Sequence, residues 1–380
     1  MTVTAARAPA GPDPLGLAAL DLATPFLACD LGTVAGRYAA FRSALPGVAC
    51  FYAMKCNGSP EILRSLAALG CGFEIASIGE LRALRAVDVD PATVLFSNPV
   101  KVPAHVEEAY AAGLWRFSFD SAGELRKLAR HAPGSAVYLR IVVDDSSSMF
   151  PLSAKLGAQP ARARELFRTA AALGLRPYGL TFHVGSQCAD PQAWVAALRT
   201  TGDIMAQLRR DGIRLDMLDL GGGFPVPYVE PAPSIVDIAR AVRPALERLP
   251  YRPALIAAEP GRYLVAEAGV LVAGVIGRSV RGGTRWLHLD AGAYNGLLDA
   301  QQMNGRWHLP VWTSRPDGAL APFTLTGPTC DSTDTVYENV LLPTTVDVGD
   351  RVYLGHAGAY TLSFASHFNG FAPPATTFLS

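Results

Sequence analysis

The chain has 380 residues, half of them apolar and only 17% charged. This length fits two domains, and the composition leaves little room for long disordered segments. Because 33 basic residues balance 33 acidic ones, the sequence offers no broad charged surface for nucleic acid or anionic lipid.

Residues 1–22 are predicted to form a flexible amino-terminal tail. They lack the apolar stretch preceded by basic residues that marks a secretion signal. No apolar run elsewhere approaches the roughly 18–20 residues that a membrane span needs. The cysteines and histidines are dispersed without zinc-ligand spacing. We therefore expect reduced thiols, no metal site, no membrane contact and a cytoplasmic location.

Eight short apolar runs follow, separated by segments with helical periodicity. They are CFYAM (50–54), GFEIAS (72–77), VLFSN (94–98), RFSFD (116–120), VYLRIVV (137–143), LTFHVGS (180–186), LDLGGG (218–223) and LIAAEPG (255–261). Continuous apolar strands between helices indicate parallel pairing with both faces covered. Eight such units predict a (β/α)8 TIM barrel over residues 31–265, with a doubly wound sheet as the alternative.

The pattern changes after about residue 265. The runs VLVAGVIGR, TRWLHLD, FTLTGPTCD and DRVYLGH are short and are broken by Gly, Pro and Asp. Most are not separated by an amphipathic helix, which favours a mainly antiparallel β-sandwich or β-barrel domain. The earlier run TPFLACD can add a strand to it. The predicted β domain therefore comprises residues 23–30 and 266–380.

Nearly every predicted barrel strand ends in a polar residue or glycine. These residues are Lys55, Glu74, Asn98, Asp120, Arg140, His183, Ser186, Gly221 to Gly223, Glu259 and Arg262. Barrel enzymes place their chemistry at the carboxyl ends of the strands. A barrel that serves only stability has no need of such a set, so we expect an active site at this end.

Lys55 and the last two strand ends together predict a cofactor site. Lys55 follows four apolar residues, where partial desolvation would lower its pKa and favour imine formation. A structural lysine whose ammonium reaches water is the alternative. Gly221 to Gly223 and the E-P-G-R run at 259–262 occupy the loops that commonly bind phosphate in such barrels. Glycines admit a phosphate to the backbone N–H groups, and Arg262 adds a charged fork.

Glu259 and His183 can contact a cofactor ring at the same end. A carboxylate at the end of an apolar strand needs a cationic partner, and a protonated pyridine nitrogen would serve. A salt bridge to Arg140 or Arg262 is the alternative for Glu259. His183 can lie flat against a ring, or it can be a hydrogen-bonded core histidine.

The ordered motifs resemble the fold-type III pyridoxal-phosphate decarboxylases that act on ornithine, lysine and diaminopimelate. FYAMKCNGSPEILRSLAALGCGFEIAS is similar to their cofactor-lysine region, and HVGSQC, DLGGGFP, AEPGR, GPTCDSTD and GAYTLSFASHFNGF follow in the same order. The resemblance extends from about residue 24 to 373. It implies an alanine-racemase-like barrel plus a β domain, a pyridoxal 5′-phosphate cofactor, and a homodimer with shared active sites.

The resemblance also implies a role for each matching residue. Lys55 would form the Schiff base, His183 would stack on the pyridine ring, and Glu259 would bind the ring nitrogen. The remaining cofactor contacts implied are Glu74, Arg140, Ser186, Gly222, Gly223, Gly261, Arg262 and Tyr360. Glu74 departs from eukaryotic ornithine decarboxylases, which usually carry the shorter aspartate.

The GPTCD motif matches residues that such enzymes contribute to the partner subunit's site. Cys330 would help to deliver a proton to Cα, and Asp331 would bind a distal ammonium. Diaminopimelate enzymes typically show C-E-S where this chain has C-D-S, which favours ornithine or lysine as substrate. Asp299 is a further candidate for the substrate's distal end, with an exposed loop acid as the alternative. Lys155 and Asp334 would pair across the dimer interface.

The expected reaction is decarboxylation of a basic amino acid to putrescine or cadaverine. Diaminopimelate or a modified biosynthetic amino acid is the alternative substrate. An amino-acid racemase would share the barrel and the lysine, but such enzymes usually pair the pyridine nitrogen with arginine rather than with a residue like Glu259. An inactive binding homologue would typically lose the lysine, the glycines or the C-D pair, which are all present. The role of loop 144–157 stays open, although its serines favour mobility.

Overall fold

The computed structural model describes residues 16–302 and 308–379. These residues divide into two compact units. The barrel unit comprises residues 35–225 and 233–263, and the β unit comprises the described residues of 1–34, 226–232 and 264–380. Each unit is described in its own frame.

The strands are, in chain order, β1 Phe26–Asp30, β2 Ala49–Ala53, β3 Gly72–Ile75, β4 Leu95–Phe96, β5 Arg116–Phe119, β6 Ala136–Arg140, β7 Ser148–Phe150, β8 Arg176–Thr181, β9 Ser186–Cys188, β10 Met217–Asp219, β11 Leu255–Ala258, β12 Gly269–Arg281, β13 Thr284–Leu289, β14 Val311–Thr313, β15 Leu320–Thr326, β16 Thr335–Pro343, β17 Arg351–Gly355 and β18 Ala375–Leu379. The helices are α1 Leu31–Ala44, α2 Pro60–Ala68, α3 Ile78–Arg85, α4 Pro103–Ala111, α5 Ala122–His131, α6 Ala163–Ala172, α7 Gln192–Arg210, α8 Ile235–Glu247, α9 Arg262–Val265, α10 Leu298–Gln302 and α11 Thr361–Phe364.

A closed parallel barrel forms the centre of the barrel unit. Its strands follow the order β10-β11-β2-β3-β4-β5-β6-β8. All eight predicted runs supply a strand, so the TIM barrel is confirmed and the doubly wound alternative is wrong. A separate antiparallel ribbon joins β7 to β9.

Local sequence signals set the helix starts around the barrel. Ser77 and Ser121 accept hydrogen bonds from the backbone N–H groups at N3 of α3 and α5. Ser234 and Asp237 form a capping box at the start of α8. Pro60 is the first residue of α2. Proline is tolerated there because a backbone N–H at the first helical position has no hydrogen-bond partner within the helix. These capping contacts fix the residue at which each helix begins, and therefore the residue at which the loop before it ends.

The barrel interior is layered because side chains of a strand alternate between its two faces. Its apolar layer includes Phe51, Leu95, Tyr138, Met217 and Ala257. Two residues further along their strands, the same inward positions carry polar groups at the carboxyl end. These groups are Ser97, Arg140, Asp219 and Glu259.

The β unit contains a mixed, mainly antiparallel sheet. Its strand order is β14-β17-β12-β13-β15-β16, and β1 joins β12 and β18 at the side. Antiparallel pairs predominate, with parallel pairing between β1 and β18 and between β13 and β15. Leu17, Phe26, Val272 and Tyr353 belong to its apolar core. The predicted β domain and the added strand from TPFLACD are confirmed.

The unit boundaries differ from those expected from sequence. Residues 31–34, 226–232 and 264–265 belong to the β unit rather than to the barrel unit. Residues 17–19 form a 3-10 helix with Leu17 buried, so the predicted tail of 1–22 is too long at its carboxyl end. Residues 1–15 of that tail lie outside the described residues.

Within residues 16–302 and 308–379, no helix is long and apolar enough to cross a membrane. Likewise, no three His, Cys, Asp or Glu side chains in these ranges come together as a metal site.

Candidate active site

Lys55 lies just beyond the barrel strand that precedes it. It occupies a 3-10 turn, Met54–Cys56, that follows β2 directly. Its Nζ lies 2.5 Å from Oε2 of Glu74, and 42% of the Lys55 side chain is exposed, against 3% for Glu74. The ammonium is therefore ion-paired and half-exposed, whereas the sequence had predicted shielding by apolar neighbours.

Glu259 is a buried carboxyl group immediately after β11. Its Oε1 accepts a hydrogen bond from Ser97. Among the described residues this hydrogen bond takes the place of the alternative pairing with Arg140 or Arg262. Burial raises the pKa of Glu259 well above its usual value, and the negative charges of Asp219 and Glu74 raise it further.

Asp219 ends β10 and is completely buried. Its carboxylate accepts hydrogen bonds from Oγ1 of Thr181 at 2.7 Å and from the backbone N–H of Gly221 at 3.0 Å. Burial raises its pKa to about 6, although the hydrogen bonds from Thr181 and Gly221 act in the opposite direction. Asp219 and Glu259 therefore form an acidic pair inside the barrel mouth.

His183 follows β8 and points toward the glycine loop. Its Nδ1 accepts a hydrogen bond of 3.0 Å from the backbone N–H of Gly185. Burial lowers the His183 pKa well below its usual value, and the charges of Arg140 and Lys55 lower it further. The ring is consequently neutral at pH 7, with its proton on Nε2.

Arg140 closes β6 on the same side of the barrel as the acids. Burial lowers its pKa, whereas Glu259 and Glu74 act in the opposite direction. Arg140 thus supplies positive charge to a mouth that is otherwise rich in carboxyl groups.

The glycines at 222, 223 and 261 lie in close contact with neighbouring protein atoms. A Cβ at Gly222 would lie 2.9 Å from Nε2 of His183, and one at Gly223 would lie 2.4 Å from the carbonyl oxygen of Gly185. A Cβ at Gly261 would lie 2.3 Å from Sγ of Cys56. Glycine is therefore required at these positions by close packing, and Gly223 also has a φ of +98°.

Arg262 follows Gly261 directly, and Ser186 follows Gly185, whose carbonyl oxygen packs against Gly223. Arg262 is buried at the start of α9, with its guanidinium carbon 5.7 Å from the centre of the Phe150 ring. Ser186 begins β9, which pairs with β7 in loop 144–157. Loop 144–157 is held by that pairing and by Asp145, whose Oδ2 accepts hydrogen bonds from Leu152 and Ser153. These contacts define one conformation of the loop, and the mobility that its serines favour stays a prediction.

Cys330 and Asp331 lie in the β unit, in the loop between β15 and β16. Cys330 is exposed, and Nδ2 of Asn369 donates a hydrogen bond of 3.2 Å to its Sγ. Asp331 accepts hydrogen bonds from Tyr294 at 2.8 Å and from the backbone and hydroxyl of Thr333. These donors hold the pKa of Asp331 below its usual value, so the group is a charged carboxylate at pH 7.

Asp334 holds this loop from beneath. It is fully buried and accepts hydrogen bonds from the backbone of Ala293 and from the backbone and hydroxyl of Thr329. Gly292 and Gly327 pack so closely against it that a Cβ at either would lie less than 3 Å from its oxygen atoms. Both oxygens accept hydrogen bonds within the chain, and the expected pairing of Asp334 with Lys155 across an interface stays a prediction.

Asp299 and Tyr360 also lie in the β unit. Asp299 is buried on α10, beside a small cavity that Tyr228 and His356 also line. It is therefore not the exposed loop acid that the sequence left as the alternative. Tyr360 precedes α11 with a φ of +66°, and its ring stacks on Phe364 at 5.2 Å.

Sequence reasoning missed three residues that contact Glu259 or its partners. Ser97, Tyr138 and Asp219 are polar side chains inside apolar strands, and each occupies an inward-facing position. The sequence prediction took the last polar residue of each run, such as Asn98 in place of Ser97. Inward-facing side chains recur every two residues along a strand. Counting such positions back from Glu259 and across to the paired strands would have identified these three residues.

The chain matches a known protein family and is similar to several characterised relatives. Residues 31–266 match the model of a family described as pyridoxal-dependent decarboxylase, pyridoxal binding domain. A lysine/ornithine decarboxylase of Selenomonas ruminantium is 36% identical over 351 residues, which cover 92% of this chain and 88% of that protein. Antizyme inhibitor 2 of Xenopus laevis is 34% identical over 364 residues, which cover 91% of this chain and 79% of that protein.

A solved structure is also similar over nearly the whole chain. It is the lysine/ornithine decarboxylase from Vibrio vulnificus complexed with cadaverine, with a TM-score of 0.88 and 34% sequence identity. The match covers 95% of this chain and 96% of that chain.

Proposed function

Because this chain belongs to the family of pyridoxal-dependent decarboxylases, we propose that it converts a basic L-amino acid, ornithine or lysine, to putrescine or cadaverine. It is an amino-acid decarboxylase whose cofactor is pyridoxal phosphate. The observation that carries the substrate class is Asp331, a half-buried carboxylate kept charged by hydrogen bonds from Thr333 and Tyr294. Such a group suits the distal ammonium of a diamino acid.

The residues at the barrel mouth fit this cofactor. Glu259 is a buried acid that has no cationic hydrogen-bond partner in residues 16–302 and 308–379, as a site for a pyridine nitrogen requires. The glycines at 222, 223 and 261 carry no side chain that would hinder the approach of a phosphate to the backbone N–H groups of these loops. Arg262 and Ser186 beside them are suitable donors to a phosphate.

Each residue then has a defined task in the proposed reaction. Lys55 would hold the cofactor through Nζ, and Glu74 orients that amine through their 2.5 Å ion pair. The neutral ring of His183 would pack against the pyridine face, with Arg140 providing positive charge nearby. When bound, the cofactor supplies an electron sink for the electron pair left at Cα after carbon dioxide departs.

The β unit would supply the groups that act on the substrate. The thiol of Cys330 would donate a proton to Cα, and the hydrogen bond from Asn369 holds Sγ in a fixed direction. Asp331 would bind the distal ammonium, and Asp299 would contribute a second carboxylate. Tyr360 would reach the phosphate. These roles rest on the residue types and on the matching motifs.

A substrate panel tests the proposed function. Carbon dioxide release from L-ornithine, L-lysine, L-arginine and meso-diaminopimelate is measured with the purified enzyme loaded with pyridoxal phosphate. We expect ornithine or lysine to be preferred, and Asp331→Ala to raise KM for that substrate more than it lowers kcat. Activity confined to diaminopimelate would overturn the role of Asp331, and a substrate with no distal amine would overturn the substrate class.

The position of the cofactor lysine is tested separately. The sequence contains four lysines, Lys55, Lys101, Lys127 and Lys155. Borohydride reduction of the holoenzyme followed by peptide mass mapping should place the cofactor on Lys55. Lys55→Ala should abolish both the visible absorbance and the labelled peptide, whereas Lys127→Ala should leave both in place. Label on another lysine would contradict the assignment.

We also propose a homodimer with shared active sites. Phe364, Phe368 and Phe371 each expose 38–40% of their surface in the same short segment as Asn369, the partner of Cys330. An exposed aromatic segment next to a functional thiol suits an interface. Light scattering should give twice the chain mass. Mixing Lys55→Ala and Cys330→Ala chains should recover activity that neither has alone, and no recovery would contradict shared active sites.

A cytoplasmic location is likewise proposed, and cell fractionation tests it.

A further inference from the structure

A chain of three side chains crosses the inside of the barrel to Glu259. The hydroxyl oxygens of Tyr138 and Ser97 lie 2.8 Å apart, and Ser97 donates its proton to Oε1 of Glu259. Because a hydroxyl has a single proton and Ser97 gives it to the carboxyl group, Tyr138 must donate to Ser97. The hydrogen bonds therefore all point toward Glu259.

The opposite side of Glu259 faces another acid. Both acids are buried, and the negative charge of Asp219 raises the pKa of Glu259 beyond the effect of burial. Thr181 and the backbone of Gly221 both donate to Asp219, which stabilises its charged form. Glu259, whose pKa is raised well above its usual value, is therefore the acid that keeps its proton before any cofactor binds.

Asp219 and Ser97 favour different protonation states of Glu259. Asp219 keeps Glu259 protonated and neutral in the cofactor-free protein. The bound cofactor would supply a basic ring nitrogen, and Glu259 would be the residue that holds a proton for it and then remains as a carboxylate beside it. A hydrogen bond from a hydroxyl is stronger to a carboxylate than to a neutral acid, so Ser97 favours the charged state.

We propose that Ser97 and Tyr138 are positioning residues, which orient Glu259 and stabilise its carboxylate form against a protonated cofactor ring. This inference rests on the proposed function, because it requires the ring nitrogen to face Glu259. It adds a group of neutral residues to the site, none of which the family motifs quoted above contain. Ser97 acts on Glu259 directly, and Tyr138 acts through Ser97.

The barrel supplies a matched control for the loss of the Ser97 hydroxyl. Ser118 on β5 is also a completely buried serine, and its strand pairs with β6 so that Ser118 lies opposite Tyr138. Within the described residues its hydroxyl has no hydrogen-bond partner. Ser118→Ala therefore removes the same atom from the same interior without breaking a hydrogen bond to the acids.

The experiment uses the full-length holoenzyme loaded with pyridoxal phosphate labelled with ¹⁵N in the ring. The ring ¹⁵N chemical shift reports whether the nitrogen carries a proton, and titration of the cofactor-depleted chain gives the dissociation constant. Variants are Ser97→Ala, Ser97→Thr, Tyr138→Phe and Ser118→Ala. Thermal unfolding of each checks that the chain is folded.

We expect Ser97→Ala to move the ring ¹⁵N resonance toward the unprotonated position and to raise the dissociation constant about tenfold. Tyr138→Phe should move both in the same direction by a smaller amount. Ser97→Thr, which keeps the hydroxyl, should restore the wild-type resonance, and Ser118→Ala should match wild type. A purely structural role would change stability without moving the ring resonance.

A Ser97→Ala resonance that matches wild type, with a dissociation constant within about twofold, would overturn the proposal. If Ser97→Ala does not fold, Tyr138→Phe provides the test instead. An unshifted ring ¹⁵N resonance in that variant refutes the positioning role of Ser97 and Tyr138. If the wild-type chain binds no pyridoxal phosphate, the proposed function fails and this inference fails with it. If the wild-type chain binds pyridoxal phosphate and the variants leave the ring resonance unchanged, the positioning role of Ser97 and Tyr138 is refuted and the proposed function is not.

Discussion

The two ends of the barrel are built from opposite electrostatic arrangements. At the carboxyl end, burial raises the pKa of Glu259 and that of Asp219, and the charge of Glu74 raises both further. At the amino end, two arginines lie against aromatic rings and pair with acceptors. The carboxyl end thus brings buried acids together beside the cations Lys55 and Arg140, whereas the amino end carries no such cluster of acids among the described residues.

Arg116 and Arg176 define the amino end, since each begins a strand and both pair with Ala136 in register. The guanidinium carbon of Arg116 lies 5.0 Å from the centre of the Trp115 ring. That of Arg176 lies 5.0 Å from the Tyr178 ring, and Arg176 forms a 2.6 Å ion pair with Asp216. Each cation there has a favourable partner.

The difference teaches which end serves stability. Burying neighbouring carboxyl groups is unfavourable unless something else compensates for their repulsion and desolvation. Cation–π contacts and paired charges stabilise a fold without any ligand. We therefore expect substitutions at the two ends to affect stability and activity in opposite ways.

Glu259→Gln should give the largest effect. A neutral amide cannot hold a pyridinium, so we expect kcat to fall by roughly a hundredfold or more. The cofactor-free protein should become more stable than wild type near pH 8, because a buried acid has been removed from beside Asp219. Steady-state kinetics and chemical unfolding measure the two changes. A variant that is both inactive and destabilised would contradict the comparison.

The pH dependence of cofactor-free stability should give the next largest effect. Asp219 has its pKa raised from 3.8 to about 6 in the folded chain. The folded state then keeps a proton that the unfolded chain loses, so stability is full below pH 3.8 and falls as the pH rises through about 6. The loss is on the order of 3 kcal/mol. Urea unfolding from pH 4 to 8 measures it.

Glu259→Gln serves as the internal check on that pH profile. Since Glu259 also has a raised pKa, removing it should flatten the decline in stability over the same range. Stability that rises between pH 4 and 8 in the wild-type chain would show that the two acids are not buried together as described.

The barrel was predictable from sequence because its strands are continuous apolar runs. Both faces of each strand are covered, so the pattern does not depend on register. The short strands of the β unit were harder. β14, β16 and β18 were not predicted, since β16 contains the polar residues Glu338 and Asn339 and β14 and β18 are short.

The site was predictable only where a residue ends a run. Lys55, His183 and Glu259 follow their strands in sequence, whereas Ser97 and Tyr138 meet Glu259 only after the barrel closes. A contact across 162 positions, as between Ser97 and Glu259, leaves no local signal. The burial of Asp334 was likewise hidden, because its partners come from residues 293 and 329.

Arg116→Met tests the amino end. Arg116 is buried, and its Nη2 donates a 2.5 Å hydrogen bond to the carbonyl of Thr93 in addition to its ring contacts. Losing these should lower the free energy of unfolding by about 1–3 kcal/mol. The dissociation constant for pyridoxal phosphate should stay unchanged. A change in cofactor affinity without loss of stability would show that the two ends are coupled.

Arg176→Lys should give the smallest effect and separates charge from stacking at the same end. Lysine keeps the charge near Asp216 but loses the planar group that lies over Tyr178 and Trp115. Because both members of the ion pair are about half-exposed, the charge contributes little, and stacking should account for a loss of about 0.5–1 kcal/mol. The loss should persist at 1 M salt, where exposed ion pairs are screened. A loss that disappears in salt would assign the stability of this end to the ion pair instead, and the contrast with the acidic end would then rest on charge alone.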